Sequence, residues 1–332
     1  MAPSKMRLTE AADEFIAHCL ARGLQPTTAR TYRSALTTLV RDVGNIEVAR
    51  LTARHLDQSF AKHNWQASSR NSRLAQYKGF FSWCRARGYM HRDSDPAFGW
   101  RNVRVPQEDR LRIPASEWGR LFAACEHPQE RIVLATGLYL FLRASEQKGL
   151  QLKHINLNDG EILVRRTKTK QTDFMPISSE LDSCIREHLV YMSEHCTPDP
   201  EHYLIGMRYG LGKNQHNQFI KGTGKLDPTR PLSRPHATVQ RVLQRAGYPH
   251  FGEGQHTLRR SGARAYFDSL VDLGYDGALR RVQSMLGHSS AVMSERYLGL
   301  NLDRQQRNTD LKGKMMFPAL QDAKIVPIRE VM

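Results

Sequence analysis

Apolar residues recur at three- and four-residue spacing through the first hundred positions, and the pattern predicts four amphipathic helices. The first carries Phe15, Ile16, Cys19 and Leu20 behind Thr9 as its cap. The second opens at Pro26-Thr27, aligns Tyr32, Leu36, Leu39, Val40 and Val43, and ends at Gly44. A shorter third runs from Thr52 through Leu56 to Phe60. The fourth starts at Ser68-Ser69 and sets Leu74, Tyr77, Phe81 and Cys84 on one face before Gly88. Four such helices predict a compact bundle over residues 1–100.

Periodicity stops over 101–112, a polar stretch that reads as an interdomain linker. A second domain, 113–304, opens with a helix near Ser116-Glu117-Trp118. Behind it Ile132 to Leu142 is continuously apolar and reads as a buried helix with Arg143 at its end. That run falls well short of the ~20 residues a membrane span requires. Alternation over Glu161–Arg166 and Asp173–Ile177, around Thr167-Lys168-Thr169-Lys170, predicts a β-hairpin with a lysine-bearing turn. A helix over Leu181–Tyr191, a glycine-rich loop from Gly206 to Pro231 and a helix from Ser233 to just before Gly247 follow. The fold class is mainly α (α+β): a helical N-terminal domain, then a mixed helical domain with a small antiparallel β-sheet. The tail, 305–332, holds Met315-Met316-Phe317 and Ile325-Val326-Pro327-Ile328, too apolar for a solvated end.

Charge sharpens the picture. The chain has 49 Lys and Arg against 33 Asp and Glu, a net +16, which attracts polyanions whatever their sequence. Residues 1–104 hold 17 basic against 8 acidic side chains, a net +9. Arg30, Arg33, Arg70, Arg73 and Lys78, with Arg85 and Arg87, lie on or beside the second and fourth helices and are candidate contacts to a DNA backbone. On the helix from Ser233, Arg234, Gln240 and Arg241 are candidate groove readers. Five scattered cysteines without a CxxC pair read as reduced thiols of a cytoplasmic protein, and no zinc-ligand spacing is present. The start, Met1-Ala2-Pro3-Ser4-Lys5, does not read as a signal peptide. The loop's Gly210-Leu211-Gly212-Lys213 and Gly222-Thr223-Gly224-Lys225 both fail the phosphate-binding loop pattern, because no Ser or Thr follows the lysine.

Three short blocks carry chemistry. Leu142-Arg143-Ala144-Ser145-Glu146 places a carboxylate three residues after an arginine. His256-Thr257-Leu258-Arg259 puts an imidazole and a guanidinium on one helical face. Leu286-Gly287-His288-Ser289-Ser290 is followed nine residues after its histidine by Tyr297. Two arginines suit the charge that builds on a phosphodiester under attack, and a phenol is a nucleophile that leaves readily afterwards. The first two blocks, each alone, are common chance spacings.

In this order the blocks resemble the tyrosine recombinase (phage integrase) family, over about residues 113–300 and more loosely over the basic helical half. The resemblance implies a SAM-like core-binding domain followed by the catalytic domain. It assigns Arg143 and Glu146 to the first box, His256 and Arg259 to the second, His288 to the third, and Tyr297 as nucleophile. Lys168 is the hairpin lysine, with Lys170 competing for the role. The first box departs from the family's form, since Tyr139-Leu140-Phe141 intervenes between Thr136-Gly137-Leu138 and Leu142-Arg143.

The function implied is site-specific cleavage and rejoining of DNA through a 3′-phosphotyrosyl intermediate, as in a phage or mobile-element integrase. No metal or other cofactor is implied. The helical bundle begins within ten residues of Met1, which leaves no room for an arm-binding domain. The implied partners are double-stranded DNA with a short inverted-repeat core site, three further copies of the chain in a tetramer and, as an open class, accessory DNA-bending proteins. The tail is of the kind the family buries in a neighbouring protomer, with packing in cis as the alternative. Rival readings are a type IB topoisomerase-like relaxing activity and a DNA-binding regulator without chemistry.

Overall fold

The computed structural model describes residues 5–106, 110–167, 171–208 and 225–300, which fall into two compact units divided at Glu108/Asp109. Lys168, Lys170, the two glycine-lysine motifs of the long loop and the tail lie outside the described residues. Among the described residues, no helix is long and apolar enough to cross a membrane.

The first unit holds α1 (Leu8–Ala21), α2 (Pro26–Val43), α3 (Ala53–Ala61) and α4 (Ala67–Ala86). Pro26 occupies the first turn of α2, where its missing N–H costs nothing. Gly44 ends that helix at φ 85. The apolar faces close on an aromatic core in which Phe15 meets Tyr32, Phe80 and Trp83 at centroid distances of 5.3 to 5.5 Å. Asp42, buried at the end of α2, accepts from Ser59 Oγ at 2.7 Å and contacts His63 Nε2 at 2.8 Å, fastening α3 and the chain after it to α2. The first half of the expected linker is not loose. The Asn71 amide on α4 exchanges two hydrogen bonds with the backbone of Val103, at 2.8 and 2.9 Å.

The second unit contains α5 (Trp118–Ala123), α6 (Pro128–Leu138), α7 (Ala144–Lys148), β1 (Ile155–Asn156), β2 (Glu161–Arg165), β3 (Thr172–Pro176) and α8 (Ser179–Ser193). Then come β4 (Gly206–Arg208), β5 (Leu226–Pro231), α9 (Pro235–Arg245), α10 (Gln255–Ser269), α11 (Gly274–Leu286) and α12 (Ala291–Leu298). The first three strands form an antiparallel sheet in the order β1-β2-β3, with Ile162 opposite Met175 and Arg165 opposite Thr172. Ile162, Val164 and Met175 face the core, as the alternation predicts.

Two expectations are corrected. The stretch from Gly206 to Pro231 is not loop throughout, because its two ends pair as β4 and β5. The buried helix also ends at Leu138, four residues before Leu142, so Arg143 does not close it. α6 remains the centre of the unit. Ile132, Val133, Leu134, Ala135 and Leu138 are all fully buried, which is why the run shows no polar face. A second cluster, with Phe141, Ala263, Leu279, Val282, Leu286 and Leu298, binds α11 and α12 to α10.

Candidate active site

The early end of α6 builds the site. Leu138 lies so close to α10 that a Cβ on Gly262 would fall 1.8 Å from the Leu138 carbonyl oxygen, an approach that glycine alone permits. The chain then turns through Tyr139–Leu142, with Phe141 at φ 51, a left-handed conformation uncommon for a bulky residue. These are the residues by which the first box departs from the family's form. The Phe141 ring is buried against Tyr266, and its carbonyl accepts a hydrogen bond from Arg259 Nη1. The turn delivers Arg143 to the N-cap of α7, where Glu146 accepts both its backbone N–H and its guanidinium, each at 2.8 Å.

Glu146 is the hub. Besides Arg143, it lies 3.5 Å from Arg166 Nη1 and 3.5 Å from Arg259 Nη1. Burial by itself raises the Glu146 pKa. The two Arg143 donors and the charge of Arg259 overcome that and hold it below the usual carboxylate value.

Arg259, on α10, is 1% exposed, and its Nη2 donates to the Leu286 carbonyl at 2.6 Å. Burial pulls its pKa down to about 10, which still leaves it protonated at neutral pH. His256, one turn earlier, is exposed on the first turn of α10. Partial desolvation and then the charges of Arg259, Arg260 and Arg143 lower its pKa, so its ring is neutral at neutral pH and able to accept a proton.

α11 ends at Gly287, whose φ of 60 turns the chain toward His288. The His288 N–H donates to Gln283 O at 3.1 Å, and the Gln283 amide returns a bond to His288 O at 3.0 Å. Its Nδ1 stands 3.1 Å from Ser294 Oγ, buried on α12. Tyr297, one turn beyond Ser294, presents its ring edge-on to His288 with centroids 5.4 Å apart. Its hydroxyl donates to the His256 carbonyl at 3.4 Å, and the Arg259 guanidinium lies 6.0 Å from the ring centre. Burial pushes the Tyr297 pKa up to about 12, against the opposing charges of Arg259, Arg260 and Arg143, so the phenol keeps its proton at neutral pH.

The structure therefore brings Arg143, Glu146, His256, Arg259, His288 and Tyr297 together. Beside them opens a cavity of about 690 Å³, lined by Arg143, Gln171, Arg280, Gln283 and His288 among others. Sequence reasoning missed two members of this neighbourhood. Arg166 passed as an ordinary residue at a strand end. The Gln147 amide, which donates to Val133 O at 3.0 Å and Thr136 Oγ1 at 2.9 Å and so braces α7 against α6, carried no signal at all.

The candidate DNA-contact residues are placed variously. In the first unit, Arg73 reaches Ser34 Oγ at 3.4 Å, so the basic stretches of α2 and α4 adjoin. Arg30 is exposed, Arg33 pairs with Asp13 at 2.5 Å, and Arg70 lies 5.0 Å over the Trp100 ring. Lys78 donates to Trp100 O at 2.6 Å. In the second unit, Arg234 is the exposed N-cap of α9. Gln240 gives its amide to the His250 and Glu253 carbonyls at 3.1 and 3.0 Å, and Arg241 meets Thr238 Oγ1 at 3.2 Å.

Comparison with known proteins bears on this site. The sequence profile of the phage integrase family matches residues 112–304. Tyrosine recombinase XerC of Serratia marcescens is 26% identical over 314 residues, covering 91% of this chain and 93% of that protein. A lambda integrase dimer bound to a COC′ core site superposes with a TM-score of 0.66 at 17% identity, covering 88% of this chain and 77% of that one. A lambda integrase tetramer bound to a Holliday junction gives 0.64 at 18% identity, covering 86% and 78%.

Proposed function

The chain belongs to the phage integrase family, and on that premise we propose that it is a site-specific DNA recombinase serving a phage or mobile element, which cleaves and rejoins strands through a 3′-phosphotyrosyl intermediate. The observation that carries this reading is the sharing of Glu146 among Arg143, Arg166 and Arg259, with the Tyr297 ring against the last of them. Glu146 and Asp173, the second partner of Arg166, leave the three guanidinium groups one positive charge in excess. A buried cation without a matching anion is costly, and a DNA phosphate is an anion that matches.

In this reading Tyr297 Oη attacks the phosphorus, forming the Oη–P bond as the P–O5′ bond breaks. The phenolic proton passes to the neutral His256 ring, and the departing 5′ oxygen takes a proton from Lys168, or from Lys170 if the turn presents that lysine instead. Arg143 and Arg259 donate to the non-bridging oxygens as charge builds there, and His288 adds a third donor. The phosphotyrosyl ester conserves the energy of the broken bond, so a 5′ hydroxyl of another strand reverses the step without ATP.

The partners follow from the reaction. Exchange between two duplexes requires four copies of the chain on short inverted-repeat core sites, with accessory DNA-bending proteins as an additional class. Arg30, Arg33, Arg70, Arg73 and Lys78 contact the backbone, and Arg234 and Arg241 the groove face, whereas Gln240 has both amide donors engaged by the His250 and Glu253 carbonyls. The tail over 305–332 docks on a neighbouring protomer, and the enzyme works in the cytoplasm. The test is to trap covalent protein–DNA adducts on the source genome and sequence their attachment points. Adducts concentrated at one short inverted repeat with wild type, and absent with Tyr297→Phe, bear the proposal out. Scattered adducts point to a topoisomerase, and binding without adducts refutes the catalytic assignment.

A further inference from the structure

Arg166 stands at a register position that the fold alone would give to an apolar residue. Ile162 and Val164 precede it at two-residue spacing on the inward side of β2, and like them it is buried, at 3% exposure. Desolvating a guanidinium is costly, so a buried ion pair is weak evidence that the residue is there for stability. The arginine is also incompletely satisfied, for its Nε and Nη1 find no hydrogen-bond partner. What it does have is contacts to three separate elements, with Nη2 also 3.1 Å from Met175 Sδ on β3. Nη2 donates to Met285 O at 2.7 Å, in the last turn of α11 and three residues before His288. The same nitrogen pairs with Asp173 Oδ2 on β3 at 2.9 Å. Nη1 lies 3.5 Å from Glu146 Oε2 on α7. Its backbone N–H, bonded to Gln171 O at 2.7 Å, closes the base of the hairpin turn.

We propose that Arg166 is a positioning residue of the recombinase reaction, holding the hairpin, the Glu146 carboxylate and the His288 end of α11 in one geometry without itself touching the phosphate. The proposal rests on the functional reading above. Its physical basis is that a planar fork fixes direction as well as distance. A displacement of about 1 Å in a catalytic group lowers rate by about 100-fold, so a side chain that prevents it contributes to rate and little to stability.

The experiment compares wild type with Arg166→Met in three measurements. Thermal melting of the full chain is expected to be unchanged or raised. Hydrogen exchange of the amides over 285–290, measured without DNA, is expected to rise about tenfold, as a local opening. Single-turnover adduct formation on the attachment-site duplex is expected to fall about 100-fold while duplex affinity is unchanged. Arg166→Lys, which keeps the Met285 contact and loses the fork, should fall between the two in rate. Unchanged exchange with unchanged rate overturns the proposal, as does a loss of rate matched by a loss of melting temperature. If Arg166→Met fails to fold, Asp173→Asn removes one tether from the half-exposed side, and unchanged exchange over 285–290 in that variant overturns the proposal equally. Should wild type form no adducts, the recombinase reading fails, while the exchange measurement still decides whether Arg166 orders the His288 end of α11.

Discussion

Gly262→Ala tests the contact on which the whole site depends. The added methyl would lie 1.8 Å from the Leu138 carbonyl oxygen, 2.7 Å from its carbon and 2.8 Å from Phe141 Cδ1, where ordinary contact begins at 3.4 Å. The first two atoms are backbone, so no rotamer change relieves the clash, and α6 and α10 must separate by more than an ångström. Overpacking a core typically costs about 1–3 kcal/mol, and a clash with backbone belongs at the upper end, about 3 kcal/mol. In a unit spanning Asp109–Met332 that corresponds to a fall of roughly 6–12 °C in melting temperature. The same substitution at Gly119, on α5 with nothing within 4 Å, is the control. There the helix gains about 0.5–1 kcal/mol from losing a glycine, and melting should rise slightly. Because the displaced turn carries Phe141 and Arg143, adduct formation by Gly262→Ala should be reduced even well below its melting point. Calorimetry of the two variants beside wild type decides the matter. If Gly262→Ala melts within about 1 °C of wild type, the account of how Arg143 is placed is wrong.

Two further substitutions address charge. Burial first, and then the charges of Arg208, His188 and His195, lower the pKa of His127 from 6.5 to about 4. Burial lowers that of His188 to about 4 as well, against its bond to the Leu204 carbonyl. Protonation therefore favours the unfolded chain, so stability is full above about pH 6.5 and declines as pH falls toward 4. His127→Asn retains an N-cap acceptor for the Gln129 N–H, now met by His127 at 3.0 Å, and removes one titrating group. Melting midpoints across that range should fall less steeply than in wild type, and equal slopes would count against the reading. Glu146→Gln leaves three guanidinium groups around a neutral amide and should cost about 3 kcal/mol in denaturant titrations at pH 7. The Glu146 pKa is depressed in the fold, so its contribution is present above the usual carboxylate range and lost as pH falls through its folded value. The gap between wild type and variant should narrow in acid, and a gap independent of pH would show that the carboxylate is not the hub.

The helices of the first unit were legible in the sequence because a helix's apolar face is a local property. Phe15, Leu36, Leu74 and Tyr77 repeat at helical spacing and are buried for that reason. The same holds for Ile162 and Val164 on β2, and the three motif blocks are legible because each is a short run of neighbouring residues. What the sequence hid is whatever depends on distant parts of the chain meeting. The apolar run from Ile132 to Leu142 looks like one helix, since nothing local marks its break. The break comes from α10 at Gly262, more than a hundred residues away, pressing on Leu138 and drawing the Phe141 carbonyl to Arg259. Arg166 reads as a charge at a strand end, and only the packing of α11 and α7 around it turns it inward onto Met285 and Glu146. The pairing of β4 with β5 across the glycine-rich stretch is hidden in the same way. Composition and periodicity thus determined the helical faces and the chemical inventory of this protein. The tertiary structure decided which charges share a carboxylate and where the chain must turn to let them, because those are energies of approach between segments that no local pattern records.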